Sequence, residues 1–199
     1  MLINIFPKSI YTSDNSYQID DNLLDIIDKY EKGPNPAVYK HASEYNDFGN
    51  SLSTAWLKIA DDENATLWNA TSFNRYVLED EHFSGLRKFI QGHVNNYVYN
   101  VLNITEDVEF YITQSWLVYN NEMSSVFRHM HTNSLLSGAF YIQGDYCPIS
   151  FHNGESLPFP RFHFNTKKFN ASNSNIWRVT NEKGKLLLFP SDQEHSVEP

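Results

Sequence analysis

Phe127-Arg-His-Met-His-Thr-Asn-Ser-Leu-Leu-Ser-Gly-Ala-Phe-Tyr-Ile142 and Gly184-Lys-Leu-Leu-Leu-Phe-Pro-Ser-Asp-Gln-Glu-His195 are the two stretches on which the reading of this chain turns. Each joins a β-rich apolar run to histidine. On an extended strand, residues i and i+2 point to the same face, so His129 and His131 can converge on one ion. His195 lies 66 positions beyond His129, far enough for several strands to intervene before a third imidazole closes the site. An isolated His-X-His pair is also what two polar residues on a half-exposed strand look like. The strand signatures beside both histidine segments, in this order, make a metal site the stronger reading.

Outward from these stretches, the texture from residue 108 onward is that of short strands broken by Asn, Gly and Pro turns. Runs at 108–119, 135–142, 148–152, 176–180 and 185–190 predict an antiparallel sandwich or barrel. The polar stretch 165–175 reads as a surface loop or lid. Before it, Phe83, Leu86, Ile90, Val94, Tyr97, Val98 and Val101 recur every three or four positions, which predicts one long amphipathic helix over 78–102 that covers a sheet. Residues 22–29 cluster Leu23, Leu24, Ile26 and Ile27 as in a short helix, and Leu2 to Ile5 alternate like a short strand. Residues 31–75 read as loops with at most one short helix, around the turn cluster Gly33-Pro-Asn-Pro36. The expected organisation is a single domain, with 1–105 as a helical and strand support region and 106–199 as a β core.

At 199 residues, 41 % hydrophobic, 15 % aromatic and only 20 % charged, the chain is long and apolar enough to bury a core unaided. A net charge of −9 without any Lys/Arg run removes the electrostatic footprint of a nucleic-acid binder. The apolar opening stops at Pro7 with no basic leader, too short for a signal peptide or a membrane span, so a soluble cytoplasmic protein with no membrane partner is expected. Cys147 is the sole cysteine, which excludes a disulfide framework and a Cys-based zinc site and fits a buried structural thiol.

The motifs His-X-His-X-Asn-Ser-X-X-Ser-Gly-X-X-Tyr and Gly-X-Leu-X-Leu-Phe-Pro-Ser…His resemble those of the 2-oxoglutarate/Fe(II)-dependent oxygenases, in particular a prolyl-hydroxylase-like group of small members. The resemblance covers roughly residues 108–199. It implies a double-stranded β-helix, or jelly roll, with His129 as the first iron ligand and His195 as the distal one. It implies Fe(II) and 2-oxoglutarate as cofactors, with O2 and a small-molecule or peptide substrate as partners. The reaction implied is a dioxygenase hydroxylation of an unactivated C–H bond, with release of succinate and CO2. Relatives place a Tyr ten positions before the first His and another on the following strand against 2-oxoglutarate. Tyr119 and Tyr141 match these, and Ser137 shares the face of Tyr141. Such a dicarboxylate needs hydroxyl or cationic donors in a mostly dry cavity. Trp116 and Phe151 are candidates to line the substrate pocket.

The chain departs from that pattern in two places. The usual triad is two histidines and a carboxylate, yet the Asp position is His131. Either His131 itself binds, leaving one more unit of positive charge for an anionic cosubstrate to neutralise, or it stands behind the ligands and a carboxylate such as Asp145, Glu155, Asp192 or Glu194 completes the set. Second, the family's Arg beyond the distal His has no counterpart before Pro199, so a truncated form is expected. Failing that, Arg128, Arg161, Arg178 or Lys185 must supply the cation. Two further readings stay open: a cupin-like three-histidine metal dioxygenase that needs no cosubstrate, and a jelly-roll binding module without metal.

Overall fold

A computed structural model describes residues 8–34, 69–120, 126–143, 148–153, 167–171, 173–180 and 182–197. In chain order the elements are β1 (Tyr11–Thr12), α1 (Asp21–Asp28), β2 (Lys32–Pro34), β3 (Asn69–Ser72), α2 (Ser84–Asn95), β4 (Val118–Asn120), β5 (Val126–His129), β6 (Leu136–Phe140), β7 (Ile149–His152), β8 (Ile176–Val179), β9 (Leu186–Pro190) and β10 (His195–Val197). Leu2 to Ile5, the bulk of 31–75, and Cys147, Asp145, Glu155 and Arg161 lie outside the described residues.

α1 begins where Asp20 accepts a hydrogen bond from the backbone N–H of Leu23 at 2.8 Å, satisfying one of the donors that a helix start leaves orphaned. Its buried stripe is Leu23 and Ile27, as the spacing predicts. The periodic run 78–102 is not one helix. Asp80 takes an extended conformation (φ −67°, ψ 133°) and accepts from the N–H of His82 at 3.0 Å. That divides one short 3-10 turn, Val77–Glu79, from a second, Glu81–Phe83, which runs directly into α2, and a π-helical segment, Asn96–Val101, follows α2 directly. The apolar period survives the interruption: Phe83, Leu86, Val94, Tyr97 and Val98 are all buried, while Val101 is exposed. On α2, His93 is a satisfied core histidine. Its Nε2 donates to Asn15 Oδ1 at 2.8 Å, and its Nδ1 therefore accepts from the Tyr11 hydroxyl at 2.7 Å.

Three antiparallel sheets are present among the described residues, ordered β1-β9-β6, β5-β10-β7-β8 and β2-β3-β4. The first two form a jelly-roll-like sandwich, and β9 explains why its sequence is an unbroken apolar run. Leu186 and Leu188 pack with Val94, Tyr97 and Val98 of the helical layer. Leu187 and Phe189 point the other way, onto Ile149 and Phe151 of the second sheet. A strand buried on both faces has no polar alternation to show. Of the 108–119 run only Val118 and Tyr119 lie in a strand, β4; Phe110 and Ile112 are partly buried against the helical cores without joining a sheet.

Candidate metal centre

The histidine loop is tied to the strand that leads into the distal histidine. After β5 the chain turns at Asn133, whose φ of 63° lies in the left-handed region that Asn tolerates better than most residues. The N–H of His131 donates to the Ser191 carbonyl at 3.0 Å, and the N–H of Ser191 donates to the Leu135 carbonyl at 3.1 Å. Ser191 Oγ is hydrogen-bonded at 2.8 Å to both Ser134 Oγ and Ser137 Oγ. Ser191 is buried, so these bonds satisfy a hydroxyl that water does not reach. The polar residues of both motifs thus lock the two histidine-bearing segments together.

β5 and β10 pair so that His129 stands opposite His195, and directly opposed side chains on one face of an antiparallel pair are neighbours. Ring centroids are 4.3 Å apart for His129 and His195, and 5.1 Å for His131 with either of the others. One candidate ligand atom from each of the three lies within 4.8 Å of the others. His129 Nδ1 lies 2.7 Å from the Phe127 carbonyl and His195 Nδ1 lies 2.9 Å from the Gln193 carbonyl. A carbonyl only accepts, so in both rings Nδ1 carries the proton and Nε2 keeps its lone pair for a ligand. Burial pushes the His195 imidazole down to about 4; the adjacent His129, His131 and His152 add to the effect, and the bond to Gln193 opposes it. Burial, with His129 beside it, also lowers His131. Neutral imidazole is the form that binds metal.

The donor set fits a transition-metal ion. An ion about 2.1 Å from each nitrogen links donors up to about 4.2 Å apart, so side-chain adjustment below about 1 Å brings all three into range. Imidazole nitrogens suit iron, zinc, copper or nickel, not magnesium or calcium. No carboxylate joins the cluster among the described residues. Glu194 is taken by Arg128, which holds its carboxyl below the ordinary range, and Asp192 is exposed. Among the candidate cations, Arg128 is in that ion pair, Lys185 donates to the carbonyls of Ser13 and Asp14, and Arg178 is exposed on β8.

Of the other residues singled out from sequence, two reach the histidines. The Trp116 ring lies 5.8 Å from His131, and Phe151, packed edge-on to Phe189, lies 6.2 Å from His195. Ser137 reaches the loop through Ser191. Tyr141 shares the inward face of β6 with Ser137 and Ala139 and packs among Phe151, Leu187 and Phe189. Tyr119 stands on β4, in the third sheet; its hydroxyl donates to the Ile27 carbonyl at 2.8 Å, and burial pushes its pKa up to about 12. Missed from sequence were the linking roles of Ser134, Ser191 and Gln193. Gln193 Nε2 donates to the His152 carbonyl at 2.7 Å while its own carbonyl holds His195. The recurrence of Ser within both motifs was the only signal available. No helix among the described residues is long and apolar enough to cross a membrane.

No curated protein matches the chain. Residues 114–199, the segment that carries all three histidines, match the family model described as "Putative 2OG-Fe(II) oxygenase", which bears out over that segment the resemblance read from the motifs.

Proposed function

We propose that this protein is an Fe(II)- and 2-oxoglutarate-dependent dioxygenase, a hydroxylase, with His129, His131 and His195 as its three metal ligands. The observation that carries the reading is the convergence of three imidazoles, two with Nδ1 pinned to a carbonyl so that Nε2 is presented. When bound, iron and 2-oxoglutarate supply the oxidising chemistry. The chain's own residues hold and orient. The carbonyls of Phe127 and Gln193 fix two tautomers, the Ser134–Ser191–Ser137 hydroxyls hold the His131 loop, and Phe151 and Phe189 keep water from one side of His195. Ser137 and Tyr141, on one inward face, are the hydroxyls we assign to the cosubstrate, and Trp116 and Phe151 are the walls we assign to the substrate.

The test is an anaerobic titration of the protein with Fe(II) and then 2-oxoglutarate, following the visible metal-to-ligand charge-transfer band. A band that requires both additions and is lost in His129→Ala and His195→Ala is expected. The all-histidine cluster also favours a second reading, a three-histidine dioxygenase without cosubstrate. Bound metal that gives no band with 2-oxoglutarate would select that reading, and no metal uptake would sink both.

A further inference from the structure

His129 and His195 present Nε2 in the same way, each giving its Nδ1 proton to the carbonyl two residues earlier, at 2.7 and 2.9 Å. What aims those two carbonyls differs. Phe127 lies inside β5, whose pairing with β10 sets its peptide planes. Gln193 lies in no strand, since β9 ends at Pro190 and β10 begins at His195. A carbonyl in a turn has no ladder to direct it and is aimed by whatever holds the peptides around it.

Here the holder is the side chain of Gln193 itself, which is only 5 % exposed. Its Nε2 donates to the His152 carbonyl at 2.7 Å and to the Glu194 carbonyl at 3.1 Å. His152 closes β7, and its own N–H donates to the same Glu194 carbonyl at 2.9 Å. On the other side, the Gln193 N–H donates to the Pro190 carbonyl at 3.0 Å. The peptides before and after the one that carries the Gln193 carbonyl are thus tied to β9 and β7, and the carbonyl between them faces His195. An amide has two Nε2 protons, and both are spent on this clamp. Burying an amide is unfavourable unless it is hydrogen-bonded, and an apolar side chain would fill the same space without that demand. What the amide adds is direction.

We propose that Gln193 is the positioning residue for the distal histidine: its side-chain amide, braced on β7, aims the Gln193 carbonyl at His195 Nδ1 and so selects the tautomer that offers Nε2 to a metal. His129, whose partner carbonyl is set by a ladder, needs no such brace. The inference rests on the metal-site reading for what His195 then binds, while the tautomer is a property of the metal-free chain.

The experiment compares wild type, Gln193→Met and Ile27→Val. The first variant keeps the length of the side chain and removes its donors; the second trims a core cluster that contains none of the three histidines. In metal-free protein labelled at the histidine nitrogens, long-range proton–nitrogen spectra at neutral pH read the tautomer of each ring, and anaerobic equilibrium dialysis reads Fe(II) affinity. Wild type is expected to carry the proton on Nδ1 in both His129 and His195. Gln193→Met is expected to give His195 a mixture of tautomers, to leave His129 unchanged, and to weaken Fe(II) binding by about tenfold or more, the usual effect of removing a group behind a metal-bound histidine. Ile27→Val should lower the thermal midpoint and move neither reading. Either reading left at its wild-type value in Gln193→Met would overturn the proposal, and so would equal shifts in Ile27→Val, which would make the effect one of general stability. If wild type takes up no Fe(II), the oxygenase reading falls and the tautomer alone decides Gln193. Should Gln193→Met fail to fold, hydrogen exchange of the Gln193 side-chain amide in wild type decides: slow exchange supports the brace, and exchange at the solvent rate overturns it.

Discussion

His131 is the position where one side chain decides the chemistry of the site. As a third ligand it would leave a bound Fe(II) with its full double charge, whereas an Asp there would neutralise half of it. His131→Asp restores the commoner donor set and is expected to keep Fe(II) binding. His131→Ala should weaken it by at least about tenfold, since even loss of a hydrogen bond behind a ligand has that effect. Equilibrium dialysis measures both, and wild-type affinity in His131→Ala would remove His131 from the ligand set. The depressed histidines also set a pH dependence. In metal-stripped protein His195 titrates near 4 against an ordinary value of about 6.5. Between those limits the unfolded chain takes up a proton that the folded chain refuses. The stabilisation is therefore complete above about pH 6.5 and is lost as the pH falls toward 4, by on the order of 3 kcal/mol. Burial shifts His131 and His93 the same way. Urea midpoints at pH 7 and pH 5 should differ accordingly, and less so in His195→Gln.

At the scale of elements, β9 organises the molecule, because both of its faces are core and it pairs with β1 and β6. Its pairing with β6 is tight at Gly138, where an added Cβ would meet the Leu187 carbonyl at 2.9 Å and Leu188 Cδ2 at 2.9 Å. Backbone cannot yield as a flexible side chain can. Gly138→Ala should therefore destabilise the fold by about 1–3 kcal/mol and loosen the Ser137–Ser191 contact, read as a lower urea midpoint together with weaker metal affinity. An unchanged midpoint would show that the strands separate freely there. The same scale shows where sequence patterns mislead. Phe110 and Ile112 alternate as strand residues do, yet they pack against helices, because an apolar side chain needs a surface and not a ladder partner. The 78–102 period likewise says which face is buried, but not that Asp80 interrupts the helix, since capping competes with helix continuation at a single residue.

For the molecule as a whole, the metal would act as a cross-link. His129 and His131 come from one segment and His195 from another, joined otherwise by the β5–β10 ladder and the Ser191 contacts. An ion bound only to the folded chain adds about 2.7 kcal/mol of stability at a hundredfold excess over its Kd, which for a chain of this size raises Tm by roughly 5–10 °C. Fe(II), or Co(II) as a redox-stable substitute, is expected to give that rise, a chelator to reverse it, and His129→Ala to abolish it. A Tm indifferent to metal would mean that the three imidazoles meet without holding an ion.

The sequence by itself determined the strand texture, the buried faces of α1 and α2, and the identity of the histidines, because side-chain periodicity and motif spacing are local properties that the chain carries unfolded. It could not say that Ser191 joins both motifs, that Tyr119 spends its hydroxyl on Ile27, or that the Gln193 amide reaches His152. These depend on which distant segments the sheets bring together, and only the tertiary structure decided them. Hydrogen bonds and charge pairs form between whatever neighbours the packing of β9, β10 and the helical layer supplies.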